Sequence, residues 1–291
     1  MTENLPVTID LSDEELNRQL GITQESSGPI VPRLKINSLA EDENDKPLQM
    51  GTFYIDEKDQ PRAYAKEVKI RIVTRVFQYQ HFSQEEKKML DESVMLPSLF
   101  AEFPSSSGKI RCGKLSKKQA EGVTLSPEQA KIQKEVKCRM FVFCMVSFTG
   151  TTVDGQEVVY TDKPVLWVPS QSAFVIVDDV LKSFDKQKRA AIKYPVSLKL
   201  KKEKNGNVIY FNPVPTITSE PATLTKIDEE AINSARDFIA ETNKRVKANY
   251  ARSLNKAPNT ATDSADNATV VSVGAKVTKT TDKDLDDEIP F

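Results

Sequence analysis

Val68-Lys69-Ile70-Arg71-Ile72-Val73-Thr74-Arg75-Val76-Phe77-Gln78-Tyr79-Gln80-His81-Phe82 contains no glycine or proline, and most of its side chains are β-branched, aromatic or long and charged. Such residues pack well on a pleated surface, so the stretch reads as a strand. Successive side chains of a strand point to opposite faces. Val68, Ile70, Ile72, Thr74 and Val76 therefore share one face, and Lys69, Arg71, Val73, Arg75, Phe77 and Tyr79 the other. The first face reads as core, the second as basic and aromatic.

The same chemistry returns in 136–148, where Lys137, Arg139, Phe141 and Phe143 alternate with Val136, Cys138, Met140, Val142, Cys144 and Val146. Further strands are predicted over 30–36, where Pro32 points to a sheet edge, over 51–55, and over 157–168 behind an Asp154-Gly155 turn. Asn205-Gly206 predicts a hairpin between 195–204 and 208–211, with Lys199, Lys201, Lys202 and Lys204 near its exposed end.

Helices are predicted at three places in this body. Ser83-Gln84-Glu85-Glu86 has the form of a capping box for a short helix to about residue 92. Phe174, Val177, Val180, Leu181 and Phe184 recur at helical spacing in 172–186. Asp228 is the expected N-cap of a helix to about Tyr250, with Ala231, Ile232, Ala235, Phe238, Ile239 and Val246 on one face. Between the two long strands, 97–128 is a Ser-, Gly- and Lys-rich excursion. The expected class is β-rich α+β.

At 291 residues and 38% hydrophobic content the chain can bury a real core. No apolar run approaches the roughly 18 residues a membrane span requires, and the start Met1-Thr2-Glu3-Asn4 lacks a signal-like pattern, so a cytoplasmic protein without membrane association is expected. Three cysteines, Cys112, Cys138 and Cys144, are too few and odd in number for a disulfide framework. With the single His81 they could suggest zinc, but no Cys-x-x-Cys pair exists, and Cys138 and Cys144 would sit about 20 Å apart along one strand. Buried free thiols are the reading, with no metal or cofactor. A lone histidine and the absence of a recognisable nucleophile and base also argue against an enzyme.

The formal net charge of −1 hides a segregation. Residues 1–50 hold ten acids against four bases and 282–291 five acids against one base, which leaves 36 bases against 27 acids over 51–281. A basic body between acidic arms attracts polyanions. The expected organisation is a mobile acidic arm over 1–28, a folded body over 29–250, a flexible linker over 251–281 and an acidic tip over 282–291. The linker's Ala, Thr, Asn, Ser and Lys cannot bury enough surface to fold alone.

The tip reads Asp284-Leu285-Asp286-Asp287-Glu288-Ile289-Pro290-Phe291. Its acids repel one another and keep it solvated, while Pro290 pushes Ile289 toward an extended backbone and presents Phe291 on a partly ordered stalk. It resembles the C-terminal tip of the bacterial and phage single-stranded DNA-binding (SSB) family, and the longer body with its extra helices suggests a phage-encoded or diverged member. The resemblance implies an oligonucleotide-binding (OB)-fold-like barrel core with added helices and a disordered acidic tail. It implies sequence-independent binding of single-stranded DNA in replication, recombination and repair. It also implies recruitment of polymerase, helicase or primase through Asp284, Asp286, Asp287, Glu288, Ile289, Pro290 and Phe291. The setting would be a bacterial or phage-infected cell, with a homo-oligomer left open.

Single strands offer phosphates to Lys and Arg and unstacked base faces to aromatic rings. The candidate DNA contacts are therefore Lys69, Arg71, Arg75, Phe77 and Tyr79 on the first strand, and Lys137, Arg139, Phe141 and Phe143 on the second. Lys109, Arg111 and Lys114 join them from a basic finger over Lys109 to Lys118, with Gly108 and Gly113 as its flexible points. Other classes fit the same tip: a phage recombination enzyme, either a nuclease or a strand-annealing protein, and a virion protein with an incidental acidic tail.

Overall fold

The computed structural model describes residues 31–41, 47–83, 86–99, 103–110, 112–113, 126–127, 132 and 134–255. In chain order these form β1 (Arg33–Asn37), β2 (Thr52–Asp56), β3 (Ala63–Ala65), β4 (Glu67–Ser83), β5 (Lys88–Glu92), β6 (Val136–Thr152) and β7 (Glu157–Trp167). There follow helix α1 (Gln171–Lys186), a 3₁₀ turn (Ala191–Lys193), β8 (Val196–Asn205), β9 (Val208–Ile217) and helix α2 (Lys226–Asn255). The expected arm and tip lie outside the described residues, as do the predicted strand start at Ile30 and the expected linker from residue 256 onward; its first five residues, 251–255, continue α2 instead.

Five strands close on themselves. β1, β2, β3, β6 and β7 pair antiparallel in that order, and a parallel contact of β7 with β1 closes the ring. β4 continues β3 along the same neighbour, β6, and leaves the ring as one half of a long two-stranded ribbon. On its other edge β4 pairs with β8 near its start and with β5 near its end. The sheet is mixed and the class β-rich with two helices.

The main core is built from Leu34, Phe53, Ile55, Val142, Cys144, Val146 and Trp167 of the ring strands together with Ile70, Ile72 and Phe77 of β4, and Val177, Leu181 and Phe184 of α1 pack into it. Full burial of side chains this size stabilises by roughly 1.5–3 kcal/mol each. A second, smaller cluster lies on the outer face of the ribbon. There Val76, Phe141, Phe143 and Leu166 meet Ala235, Phe238 and Ile239 of α2.

Four expectations change. The register of β4 on β6 shifts between Ile72 and Thr74, so Val73 is an extra residue. A one-residue shift turns every later side chain to the opposite face. Lys69 and Arg71 face outward with Ser147 and Met145, whereas Arg75, Phe77 and Tyr79 join Ile70 and Ile72 on the inner face. The single basic-aromatic face read from β4 is thereby split in two.

The predicted short helix after Ser83 is a strand instead. Ser83 Oγ does accept the Glu86 N–H at 3.1 Å, but the chain then turns back as β5 onto β4. β1 is flanked by β2 and β7 and is no edge strand; Pro32 stands just before it, and its carbonyl accepts the Leu166 N–H at 2.8 Å. Asp228 caps α2 from inside the first turn. Its carboxylate accepts the Thr225 N–H at 2.6 Å and the Thr225 hydroxyl at 3.0 Å, which is the carboxylate half of a capping box, while the Asp228 N–H donates to the Thr225 carbonyl at 3.1 Å.

Candidate nucleic-acid interface

Arg71 and Arg75 are anchors for helices. Arg71, with 8% of its side chain exposed, contacts Asp228 at 2.5 Å and Asp162 at 3.1 Å. This holds the first turn of α2 to the outer face of the ribbon. Burial pushes the Asp228 carboxyl up, but the Thr225 backbone and hydroxyl and the Arg71 guanidinium outweigh it and leave the group below the usual carboxylate range. Arg75 contacts Asp178 at 2.7 Å and Asp185 at 3.3 Å and so fixes α1 to the inner side. Both guanidiniums are committed to carboxylates.

The four candidate stacking rings are covered as well. Phe77 lies against Phe174 at 5.9 Å between ring centres, and Tyr79 against Phe103 at 6.0 Å with its hydroxyl donating to the Leu99 carbonyl. Phe143 meets Phe238 edge-on at 5.5 Å, and Phe141 is 8% exposed in the same cluster. Burial also pushes the Tyr79 hydroxyl above its ordinary pKa. None of the four offers a face to a base in this conformation, because the ribbon is covered by α1 and α2 on its two sides and, at Tyr79, by Phe103, Ile110 and Cys112.

The cysteines behave as expected of thiols in a core. Burial pushes Cys144 up to about 12, and Cys112 and Cys138, both beside Tyr79, are also pushed up to about 12 by burial. All three are free. Among the described residues no three His, Cys, Asp or Glu side chains gather as a metal site, and no helix is long and apolar enough to cross a membrane. His81 is instead held by Glu135 at 2.8 Å.

Lys69, Lys109, Lys137 and Arg139 remain exposed and have no ion-pair partner among the described residues. Arg111 and Lys114 lie outside the described residues, as do 284–291. Lys69 stands apart at the start of β4, opposite Ser147 and Ser197. Lys137 and Arg139 sit opposite Gln80 and Gln78 at the other end of the ribbon. Gln78 donates to Glu92 at 3.1 Å, and Arg245 of α2 contacts the same carboxylate at 2.7 Å. Asn243 fastens the helix nearby. Its amide donates to the Met95 carbonyl at 3.0 Å and accepts the Met95 N–H at 2.6 Å, as a neighbouring strand would. Further along, the Tyr250 ring lies close against Gly108, next to Lys109.

The basic half of α2 is the part that strand-by-strand reading missed. Residues 226–241 hold five acids against Lys226 and Arg236, while 242–255 hold Lys244, Arg245, Lys247 and Arg252 and no acid. Arg245 and Arg252, seven residues apart, lie on one flank of the helix. The fold thus brings the positive half of α2 to the end of the ribbon that carries Lys137 and Arg139. The lopsided charge along the helix was the available signal. No family model, curated protein or solved structure matches this chain, so its reading rests on its own residues.

Proposed function

We propose that the protein binds single-stranded DNA without sequence preference, takes no part in catalysis, and uses its acidic tip to recruit proteins of DNA replication, recombination and repair. The observation that carries the first part is the group of exposed cations toward the end of the ribbon: Lys137 and Arg139 on β6, which have no ion-pair partner among the described residues, with the basic half of α2, Arg245 and Arg252 included, brought to the same end. Among the described residues only Arg245 of the four contacts a carboxylate, that of Glu92, which Gln78 also meets. Phosphates are the handle such a surface takes. With the aromatic rings covered, affinity comes chiefly from counterion release, and log K falls with log salt by about 0.7 for each phosphate contacted.

In this reading the five-stranded ring plays the part of an OB-like barrel, a closed frame with the nucleic acid on its outside. The likeness lies in closure and size, since the ring runs in chain order where an OB-fold follows a Greek key. The recruiting role rests on the resemblance of 284–291 to the SSB tip, with polymerase, helicase and primase as the class of partner.

The test is a fluorescence titration of the full chain with labelled poly-dT and with duplex of equal length across a salt series. Binding to the single strand at least tenfold tighter than to duplex, with steep salt dependence, is expected. Lys137→Ala with Arg139→Ala should lower the salt slope by about 1.4, that is, 0.7 per contact. Equal or absent binding of the two DNAs overturns the reading.

A further inference from the structure

The sheet carries two long hairpins of opposite charge. The one joining β6 to β7 presents Asp154 and Glu157 and no base over 148–160, whereas β8–β9 presents Lys199, Lys201, Lys202 and Lys204 against Glu203 alone over 196–217. Only 196–199 of β8 pair with β4, so the remaining rungs of this hairpin extend past the sheet that supports it. Six residues at about 3.3 Å each make an arm of about 20 Å.

The arm is braced on one side only. Val196, Leu198, Pro213 and Pro215 rest on Ile176, Val177 and Val180 of α1, and nearer the tip the Phe211 ring lies against Gly51. Gly51 has φ +70° and no room for a Cβ, so that contact requires glycine. The turn is tight, with Gly206 at φ +59°. Pro213 and Pro215 stand on β9, which among the described residues has no strand on its far side, so their missing N–H groups leave the ladder to β8 intact.

The opposite face of the arm is open, and it continues a face of the ribbon. Lys69 stands across from Ser197 and Glu67 across from Lys199, so Lys69, Lys199 and Lys201 follow one another along it, with Tyr210 half-buried opposite Glu203. Lys199 and Lys201 do reach carboxylates, Glu67 at 3.4 Å and Glu203 at 3.2 Å, but both lysines stay more than two-thirds exposed. Pairs that wet exchange readily for a phosphate. Lys202 and Lys204, on the braced side but beyond most of its packing, are exposed and have no ion-pair partner among the described residues.

We infer that the β8–β9 arm is a second contact for the backbone of single-stranded nucleic acid, separate from the Lys137–Arg139 end of the ribbon. Lys69 and Ser197 mark its near end and Lys202 and Lys204 its tip. The two contacts lie about ten residues of β4 apart, on the order of 30 Å. A strand must therefore be long enough to reach both before the arm adds to affinity. The inference rests on the proposed DNA binding.

The experiment compares wild type, the arm variant Lys199→Ala, Lys201→Ala, Lys202→Ala, Lys204→Ala, and a control that removes four charges elsewhere, Lys186→Ala, Lys188→Ala, Lys193→Ala, Lys226→Ala. Each is titrated with dT oligonucleotides of 6 and 30 residues over a salt series, and circular dichroism verifies folding. For the 30-mer the arm variant should lose tenfold or more in affinity at low salt, with a salt slope smaller by about 2 to 3. For the 6-mer it should lose less than threefold. Wild type that ignores both oligonucleotides sinks the DNA-binding reading itself. Wild type that binds while the arm variant binds as tightly, or loses no more than the control, sinks the arm alone.

Discussion

The middle of the β4–β6 ribbon, at Arg71 and Arg75, and the β8–β9 arm both carry cations, yet the cations live differently. On the ribbon Arg71 and Arg75 keep 8% and 19% of their side chains exposed, and each is met by two carboxylates, at least one of them from a helix. On the arm Lys199 and Lys201 keep 69% and 68%, and each meets one neighbour in water. Charge density along a strand therefore says little about function until it is known what covers the strand. Where helices dock, a guanidinium with a planar fork of donors holds acids from elsewhere in the chain. Where nothing docks, lysines remain available to an outside anion.

The sharpest way to break this contrast is at Asp228. Replacing it by Ala leaves Arg71 buried with half its compensation, which should cost about 3–5 kcal/mol in urea unfolding. A cost under 1 kcal/mol would mean that Arg71 is no more an anchor than the arm lysines are. Next comes Asn243→Ala, which strips the Met95 N–H and C=O of their partners and should cost about 1–3 kcal/mol. Hydrogen exchange at the Met95 amide should then accelerate well before global unfolding; unchanged protection would show that α2 does not depend on this fastening.

The strand character of β4 and the alternation of β6 were legible in the sequence, and so were α1, the Asn205-Gly206 turn and most of α2, because each rests on a local period or a local turn. The face assignment failed at Val73 for a physical reason. A single extra residue in a strand costs little locally and leaves no mark in the hydrophobic pattern, since Val73, Val76 and Phe77 are all apolar. The ring closure and the docking of α2 were not legible either, because they depend on pairs far apart in sequence such as Arg71 with Asp228. Four candidate cations, Lys69, Lys109, Lys137 and Arg139, did prove to be exposed. Burial claimed the rings because what covers them comes from far along the chain: α1 over Phe77, α2 over Phe141 and Phe143, and Phe103, Ile110 and Cys112 over Tyr79.

Acid should sharpen the comparison further. The Asp228 carboxyl is held below its ordinary pKa of 3.8, so its folded form binds a proton less readily than the unfolded chain does. The resulting stability is fully present above that value and fades as pH falls through it toward the folded pKa. The difference in unfolding free energy between wild type and Asp228→Asn should accordingly shrink as pH is lowered past 3.8. A difference that stayed constant through the acid range would mean that the carboxylate's charge contributes nothing at this junction. The arm, with lysines as its charged groups apart from Glu203, should contribute little to that acid dependence.

The smallest effect is expected at the arm tip. Lys202 and Lys204 are exposed and have no ion-pair partner among the described residues, so Lys202→Ala with Lys204→Ala should shift stability by no more than about 0.5 kcal/mol. Equilibrium unfolding in urea measures this directly, and the midpoint should move while the slope stays fixed. The near-zero result carries weight because each of the two lysines repels its three neighbours on the same arm, so neither is there for the stability of the fold. Relieving that repulsion should make the variant equal to or slightly more stable than wild type at low salt, and the gain should vanish as salt screens the charges. A loss above 1 kcal/mol would place these lysines with Arg71 among the anchors and remove the distinction between the two regions.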